Sequence, residues 1–177
     1  MTMKDFPKLE SLNKANELGR SYNIDKITDK IYLGGIKGLL ENEYLKTENI
    51  NNILSLANSN QEINLDKNIR RKIIDIGDLY SENIIKYFKE CIDFIETSEK
   101  IFIHCECGVS RSATIVIAYL MWKTHSTFNE AYLFVKKTRP EIDPNNGFRK
   151  QLNIFHKLLE DNDYDLNKKW KIKIFLH

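Results

Sequence analysis

The chain has 177 residues, 42% of them apolar and 29% charged, with a net charge of +2. That length supports one domain with a substantial core and excludes two comfortable ones. A charge so near neutral excludes a dedicated nucleic-acid binder, which needs a strongly basic face.

Residues 4–18 carry helical spacing at Leu9, Leu12 and Ala15, with Gly19 as a stop, so residues 1–23 read as an N-terminal helical extension. Ile31-Tyr32-Leu33 predicts a short strand ahead of Gly34-Gly35, and Ile36, Leu39, Leu40 and Tyr44 predict a helix. Ile53–Ala57 and Lys72–Ile76 predict strands, joined by a polar surface connection over residues 58–68. Residues 82–97 predict an amphipathic helix with Ile84, Ile85, Phe88, Cys91, Ile92 and Ile95 on one face. Ile101-Phe102-Ile103 has the unbroken apolar character of a buried parallel strand. Ala113–Trp122 is apolar nearly all round and predicts a central helix. Two more helices follow, one carrying Phe128, Ala131, Tyr132 and Val135 and ending near Arg139-Pro140, the other carrying Phe148, Leu152, Phe155 and Leu159. The tail from Lys168 to Ile174 alternates lysine with apolar residues and predicts an edge strand, with contact to a partner or an anionic surface as the weaker alternative. Alternating strands and helices predict an α/β fold with a mainly parallel central sheet flanked by helices.

No apolar run approaches the ~18 residues of a membrane span. Residues 1–12 lack the apolar stretch of a signal peptide, residue 2 is Thr, and Ile174–His177 is no prenylation box, so no membrane anchor is expected. Cys91, Cys105 and Cys107 make an odd set, which predicts a reducing compartment, cytoplasm and/or nucleus. No His/Cys/Asp cluster has ligand spacing, and neither His125 nor His156 has a partner at such spacing, so no metal is expected.

The segment His104-Cys105-Glu106-Cys107-Gly108-Val109-Ser110-Arg111-Ser112 lies between the buried strand and the central helix. A loop in that position receives the free N–H groups and the positive dipole end of the helix, which suits an anion. Gly108 permits backbone angles that let the loop curl into a nest of amides. Cys105 starts the nest, and its positive field favours the nucleophilic thiolate. Arg111 presents a planar fork that grips two phosphate oxygens, which lysine does not. The backbone of Glu106, Cys107, Gly108, Val109 and Ser110 completes the expected phosphate cradle. Ser112 donates its hydroxyl to the sulfur and makes it a better leaving group, while His104 braces the loop through nearby backbone. A lone buried cysteine ordinarily packs as a small apolar side chain; five identities at the spacing the chemistry needs argue against that here.

Cys-x5-Arg-Ser, with His before the Cys and Gly three after it, resembles the signature loop of cysteine-based protein tyrosine phosphatases, and His104–Thr114 resembles the dual-specificity subfamily. Ile27–Gly35 resembles that family's opening strand, and Arg139–Phe148 with Gln151-Leu152 resembles the start of its closing helix. The resemblance spans roughly residues 24–160, the expected catalytic domain, and leaves 161–177 as a tail. It implies the three-layer sandwich of the protein tyrosine phosphatases. It also implies hydrolysis of phosphotyrosine and phosphoserine/phosphothreonine in protein substrates without a cofactor. The sequence leaves the oligomeric state open, with a monomer favoured.

The family's general acid falls at Asp78 by resemblance, between a strand and the amphipathic helix. Asp75, read as part of the strand, and Glu82, read as a helix-start residue, are the alternatives. The resemblance also lets Asn145 or Asn146 hydrogen-bond the signature loop; an ordinary turn and helix start after Pro144 explains them equally well. Cys107 is placed to capture an oxidised Cys105, although so short a loop strains a disulfide and an outward side chain is preferred. Cys91 reads as core packing. Glu106 disfavours polyanionic lipid or RNA 5′-triphosphate substrates. A phosphoprotein binder without activity is the rival reading, disfavoured because Cys105, Arg111 and Asp78 are all in place.

Overall fold

The computed structural model describes residues 2, 21, 23–41, 43–57, 63 and 65–168. The expected helix over residues 4–18 and all of the expected tail strand but Lys168 lie outside the described residues. Among the described residues, five strands form one sheet: β1 (Ile24–Lys26), β2 (Ile31–Gly34), β3 (Asn52–Leu56), β4 (Arg70–Ile74) and β5 (Ile101–His104). Their order is β1-β2-β5-β3-β4, with β1 antiparallel to β2 and every other neighbour parallel. The Thr28 hydroxyl accepts from the backbone N–H of Lys30 and Ile31, closing the tight turn between β1 and β2.

Side-chain alternation along the strands builds the layers. Tyr32, Phe102 and Ile53 stand in register across β2, β5 and β3. They pack with Leu39 of helix α1 (Ile36–Leu40) and with Tyr44 and Leu45 of α2 (Glu43–Thr47). On the opposite face, Ile31, Leu33, Leu54, Leu56, Ile101 and Ile103 meet α3 (Phe88–Glu96), α4 (Arg111–Thr124), α5 (Phe128–Thr138) and α6 (Asn146–Asp161). The result is a helix–sheet–helix sandwich, as expected. Helix α4 is buried from Ser112 through Met121, which explains its apolar character on all sides. Each fully buried aliphatic side chain there contributes about 1.5–3 kcal/mol. Helix α5 starts with a reciprocal capping box between Thr127 and Glu130.

Three boundaries differ from expectation. The single helix predicted after Gly35 is two short helices, α1 and α2. Strand β4 lies two residues earlier than Lys72–Ile76, because Arg70–Ile74 is the stretch that pairs with β3 and residues 75–78 leave the sheet. Asp75 therefore sits just beyond the strand, exposed, rather than within it. The amphipathic helix begins with a 3-10 turn at Ile85–Tyr87 and not at residue 82. The reason is tertiary: Gln151 on α6 accepts from the Ile85 N–H at 3.0 Å and donates to the Glu82 carbonyl at 2.8 Å, taking the groups a longer helix would use. Glu82 consequently lies in a turn, its N–H bonded to the Leu79 carbonyl, and does not occupy a first helical turn.

Candidate active site

The loop from Cys105 to Ser110 connects the end of β5 to the start of α4. Its carbonyl groups all have partners on the outside. The Glu106 carbonyl accepts from Ile36 N at 2.9 Å, and that of Val109 from Asp143 N at 2.9 Å. Between them, the Cys107 and Gly108 carbonyls accept from Arg139, at 3.1 and 2.9 Å. In a trans peptide the C=O of one residue and the N–H of the next point in opposite directions, and no cis bond occurs among the described residues. Outward carbonyls at 106–109 therefore turn the N–H groups of Cys107, Gly108, Val109 and Ser110 toward the inside of the loop. Gly108 N donates to the Cys105 sulfur at 3.2 Å, in keeping with this geometry. Gly108 has φ +73°, and an added Cβ there would lie 2.4 Å from the Gly34 backbone, so this position requires glycine.

Cys105 is 2% exposed, and its sulfur takes a second hydrogen bond from the Ser112 hydroxyl at 3.2 Å. The Gly108 amide and the Ser112 hydroxyl together fix the sulfur at the floor of the loop. Arg111, the first residue of α4, donates from Nη1 to the Ile76 carbonyl at 3.2 Å, while its Nε is buried without a hydrogen-bond partner. A buried guanidinium N–H left unsatisfied is costly, so this donor is available to a group not present in the structure. Cys107 and Glu106 are exposed, so their side chains face away from the nest and they contribute to it through backbone.

Behind the loop, His104 is fully buried and its ring is fixed by elimination. The Cys105 carbonyl can only accept, so Nδ1–H donates to it at 3.2 Å. The neutral ring's Nε2 is thus an acceptor and takes the hydrogen of Ser55 Oγ at 2.7 Å, while that oxygen accepts from Arg71 Nε at 2.9 Å. Burial, aided by the charges of Arg71 and Arg111, pushes the imidazole down to about 4, against the opposing pull of its Cys105 backbone hydrogen bond. The unfolded chain titrates near 6.5, so between those values the unfolded state binds a proton that the fold refuses. Stability therefore falls as pH drops from about 6.5 to about 4. His104→Gln should show a shallower loss of melting temperature over that window; a slope equal to the parent's would acquit this ring.

Asp78 lies on the exposed loop after β4, and its Oδ1 accepts from Ser110 Oγ at 2.7 Å and from Asn145 Nδ2 at 2.8 Å. The acid candidate is thereby tied both to the signature loop and to the start of α6. Gly147 completes that junction: a Cβ there would lie 2.1 Å from the Tyr80 carbonyl, so any side chain would push the Asp78 loop off the helix. Of the two asparagines, Asn145 is the one in contact with the loop, through its N–H on Ser110 Oγ at 3.1 Å; Asn146 is exposed. Cys91 is buried in the core, where burial pushes its thiol well above its usual range.

Arg139, which the sequence marks only as a helix end and the first residue of the Arg139–Phe148 match, proves to brace the loop. It is 1% exposed and anchors Cys107 and Gly108 with Nη2 and Nε, Asn23 with Nη2 at 2.6 Å and Asp25 with Nη1 at 2.8 Å. Its position, just past α5 and before Pro140, reads in sequence as an ordinary basic helix end. Ser55 and Arg71, about 50 and 34 residues before Cys105, carried no signal.

The family model described as the dual specificity phosphatase catalytic domain matches residues 31–157. The chain belongs to the dual specificity phosphatase family. Its activity class is accordingly protein phosphatase. This dual specificity phosphatase is 33% identical over 163 residues to Dual specificity protein phosphatase 1 of Arabidopsis thaliana, spanning 88% of the chain and 82% of the relative. It is 42% identical over 136 residues to MAP kinase phosphatase with leucine-rich repeats protein 1 of Dictyostelium discoideum, covering 75% of the chain but 16% of that larger protein. Among solved structures, DUSP15 superposes with a TM-score of 0.74 at 31% identity, over 81% of this chain and 93% of that one. The human tyrosine phosphatase-like serine/threonine/tyrosine-interacting protein also gives 0.74, at 27% identity, over 78% of this chain and 99% of that one.

Proposed function

We propose that this dual specificity phosphatase hydrolyses phosphotyrosine and phosphoserine/phosphothreonine monoesters in protein substrates through a cysteinyl-phosphate on Cys105. The observation that carries this is the set of outward-bonded carbonyls at residues 106–109, which turns successive N–H groups toward the inside of the loop that holds the sulfur. The thiolate attacks phosphorus, the S–P bond forms as the P–O bond to the side chain breaks, and the departing oxygen takes its electron pair and a proton from Asp78. Water then attacks phosphorus, gives its proton to the Asp78 carboxylate, and the S–P bond breaks to return the thiolate and release phosphate. Ser112, already on the sulfur, eases that second departure. Amides, Arg111 and the dipole of α4 neutralise the phosphoryl oxygens, so the mechanism asks for no metal and no cofactor. The breadth over three ester types rests on family membership. Exposed Glu106 disfavours polyanionic substrates, and a chemistry that depends on a free thiolate suits the cytoplasm and/or nucleus.

Incubation of the purified protein with phosphotyrosyl and phosphothreonyl peptides tests the reading. Both should release inorganic phosphate, with inhibition by vanadate and none by chelator. Asp78→Asn should lower kcat about 10²- to 10⁴-fold with little change in KM. Absence of hydrolysis of both peptides would leave a phosphoprotein binder, and a larger loss for Asp75→Asn than for Asp78→Asn would move the acid to residue 75.

A further inference from the structure

The two hydrogen bonds to Asp78 fall on the same oxygen, Oδ1. Neither is a casual contact. Ser110 occupies the N-cap position of α4, where a serine hydroxyl ordinarily accepts from the first-turn N–H groups. Here it makes no capping bond. Its single hydrogen goes to Asp78 Oδ1, and its oxygen accepts from Asn145 N. The Asn145 amide is likewise oriented without ambiguity. Its Oδ1 caps α6 by accepting from Phe148 N at 3.0 Å, so its NH₂ group must be the end that faces Asp78.

We propose that Ser110 and Asn145 are positioning residues for the proton donor: by donating together to Oδ1 of Asp78, they hold that oxygen as an acceptor and leave Oδ2 to carry the proton delivered to the leaving group. This rests on the reading of Asp78 as general acid. A carboxyl pinned at one oxygen by donors from the signature loop and from the start of α6 keeps its distance to the sulfur through both half-reactions. The same Oδ2 protonates the departing ester oxygen and, once ionised, takes the proton from water. The arrangement places the start of α6 in the proton-transfer machinery.

The test is the dependence of kcat on the leaving group, read with dinitrophenyl phosphate, whose leaving group needs no proton, and phenyl phosphate, whose leaving group does. Asp78→Asn sets the scale by raising the ratio of the two rates. Asn145→Ser keeps an N-cap oxygen for α6 while removing the donor to Asp78, and Ser110→Ala removes the other donor. Each should raise the ratio about tenfold or more, since misplacing a catalytic group by a fraction of its working distance costs that much. In the Asp78→Asn background, Asn145→Ser should raise the ratio no further, because its target is gone. A ratio within twofold of the parent's for both single variants, with Asp78→Asn raising it, would overturn the proposal and leave the acid assignment standing. An equal effect of Asn145→Ser with and without Asp78 would also overturn it, marking a structural role. If Asp78→Asn itself leaves the ratio unchanged, the acid assignment fails and takes this proposal with it.

Discussion

Cys105→Ser is expected to abolish turnover, by at least about 10⁴-fold, while preserving affinity for inorganic phosphate. The first half follows from the nucleophile. An un-ionised hydroxyl beside Gly108 N and Ser112 Oγ is a far poorer attacking group than the sulfur nucleophile of the proposed mechanism. The second half follows from where the phosphate affinity resides. The N–H groups of residues 107–110 and the Arg111 fork are untouched by the exchange, because their orientation is set by carbonyl partners on the other side of the loop. Acid quenching of the parent enzyme with a labelled aryl phosphate should trap a phosphocysteine, and the variant should yield none. Label recovered on the serine variant, or residual activity above about one per cent, would mean that another side chain attacks.

Arg139→Leu is expected to cost about 3–5 kcal/mol, because it removes the guanidinium that neutralises the buried Asp25 carboxylate. For a chain of this length that corresponds to a fall in melting temperature of about 10 °C. The variant should also lose most activity, since the Cys107 and Gly108 carbonyls lose the donors that hold them outward. Arg139→Lys separates the two effects. A lysine restores a positive charge near Asp25 but cannot make the forked contacts to both carbonyls. Stability should recover in part, and phosphate affinity should stay low. Full recovery of both with lysine would show that charge alone, and not the fork, maintains the loop.

Much of this was legible in the sequence because the chemistry compresses into short stretches. Cys105, Arg111 and Ser112 lie within one strand-to-helix connection, and the helix that follows is apolar on all sides, so spacing and periodicity agree on the site and its setting. What was hidden depends on contacts between distant segments. Nothing in the Lys72–Ile76 run says that the strand ends at Ile74, because Ile76 continues the apolar pattern; the register with β3 decides it. The late start of α3 is imposed by Gln151, some 66 residues away. Arg139, Ser55 and Arg71 are of ordinary residue types in ordinary positions, and their importance arises only when the sheet brings Asp25, His104 and the loop together.

Apart from the Arg111 guanidinium and the glycine at 108, the proposed anion seat is main chain, so side-chain changes at the other loop positions have little purchase on it. The exposed side chains of Glu106 and Cys107 project away from the seat, leaving those two positions open to change without altering how phosphate itself is gripped. Selection can therefore reshape which phosphorylated protein is admitted while the chemistry beneath stays constant. A single catalytic architecture can in this way serve many clients.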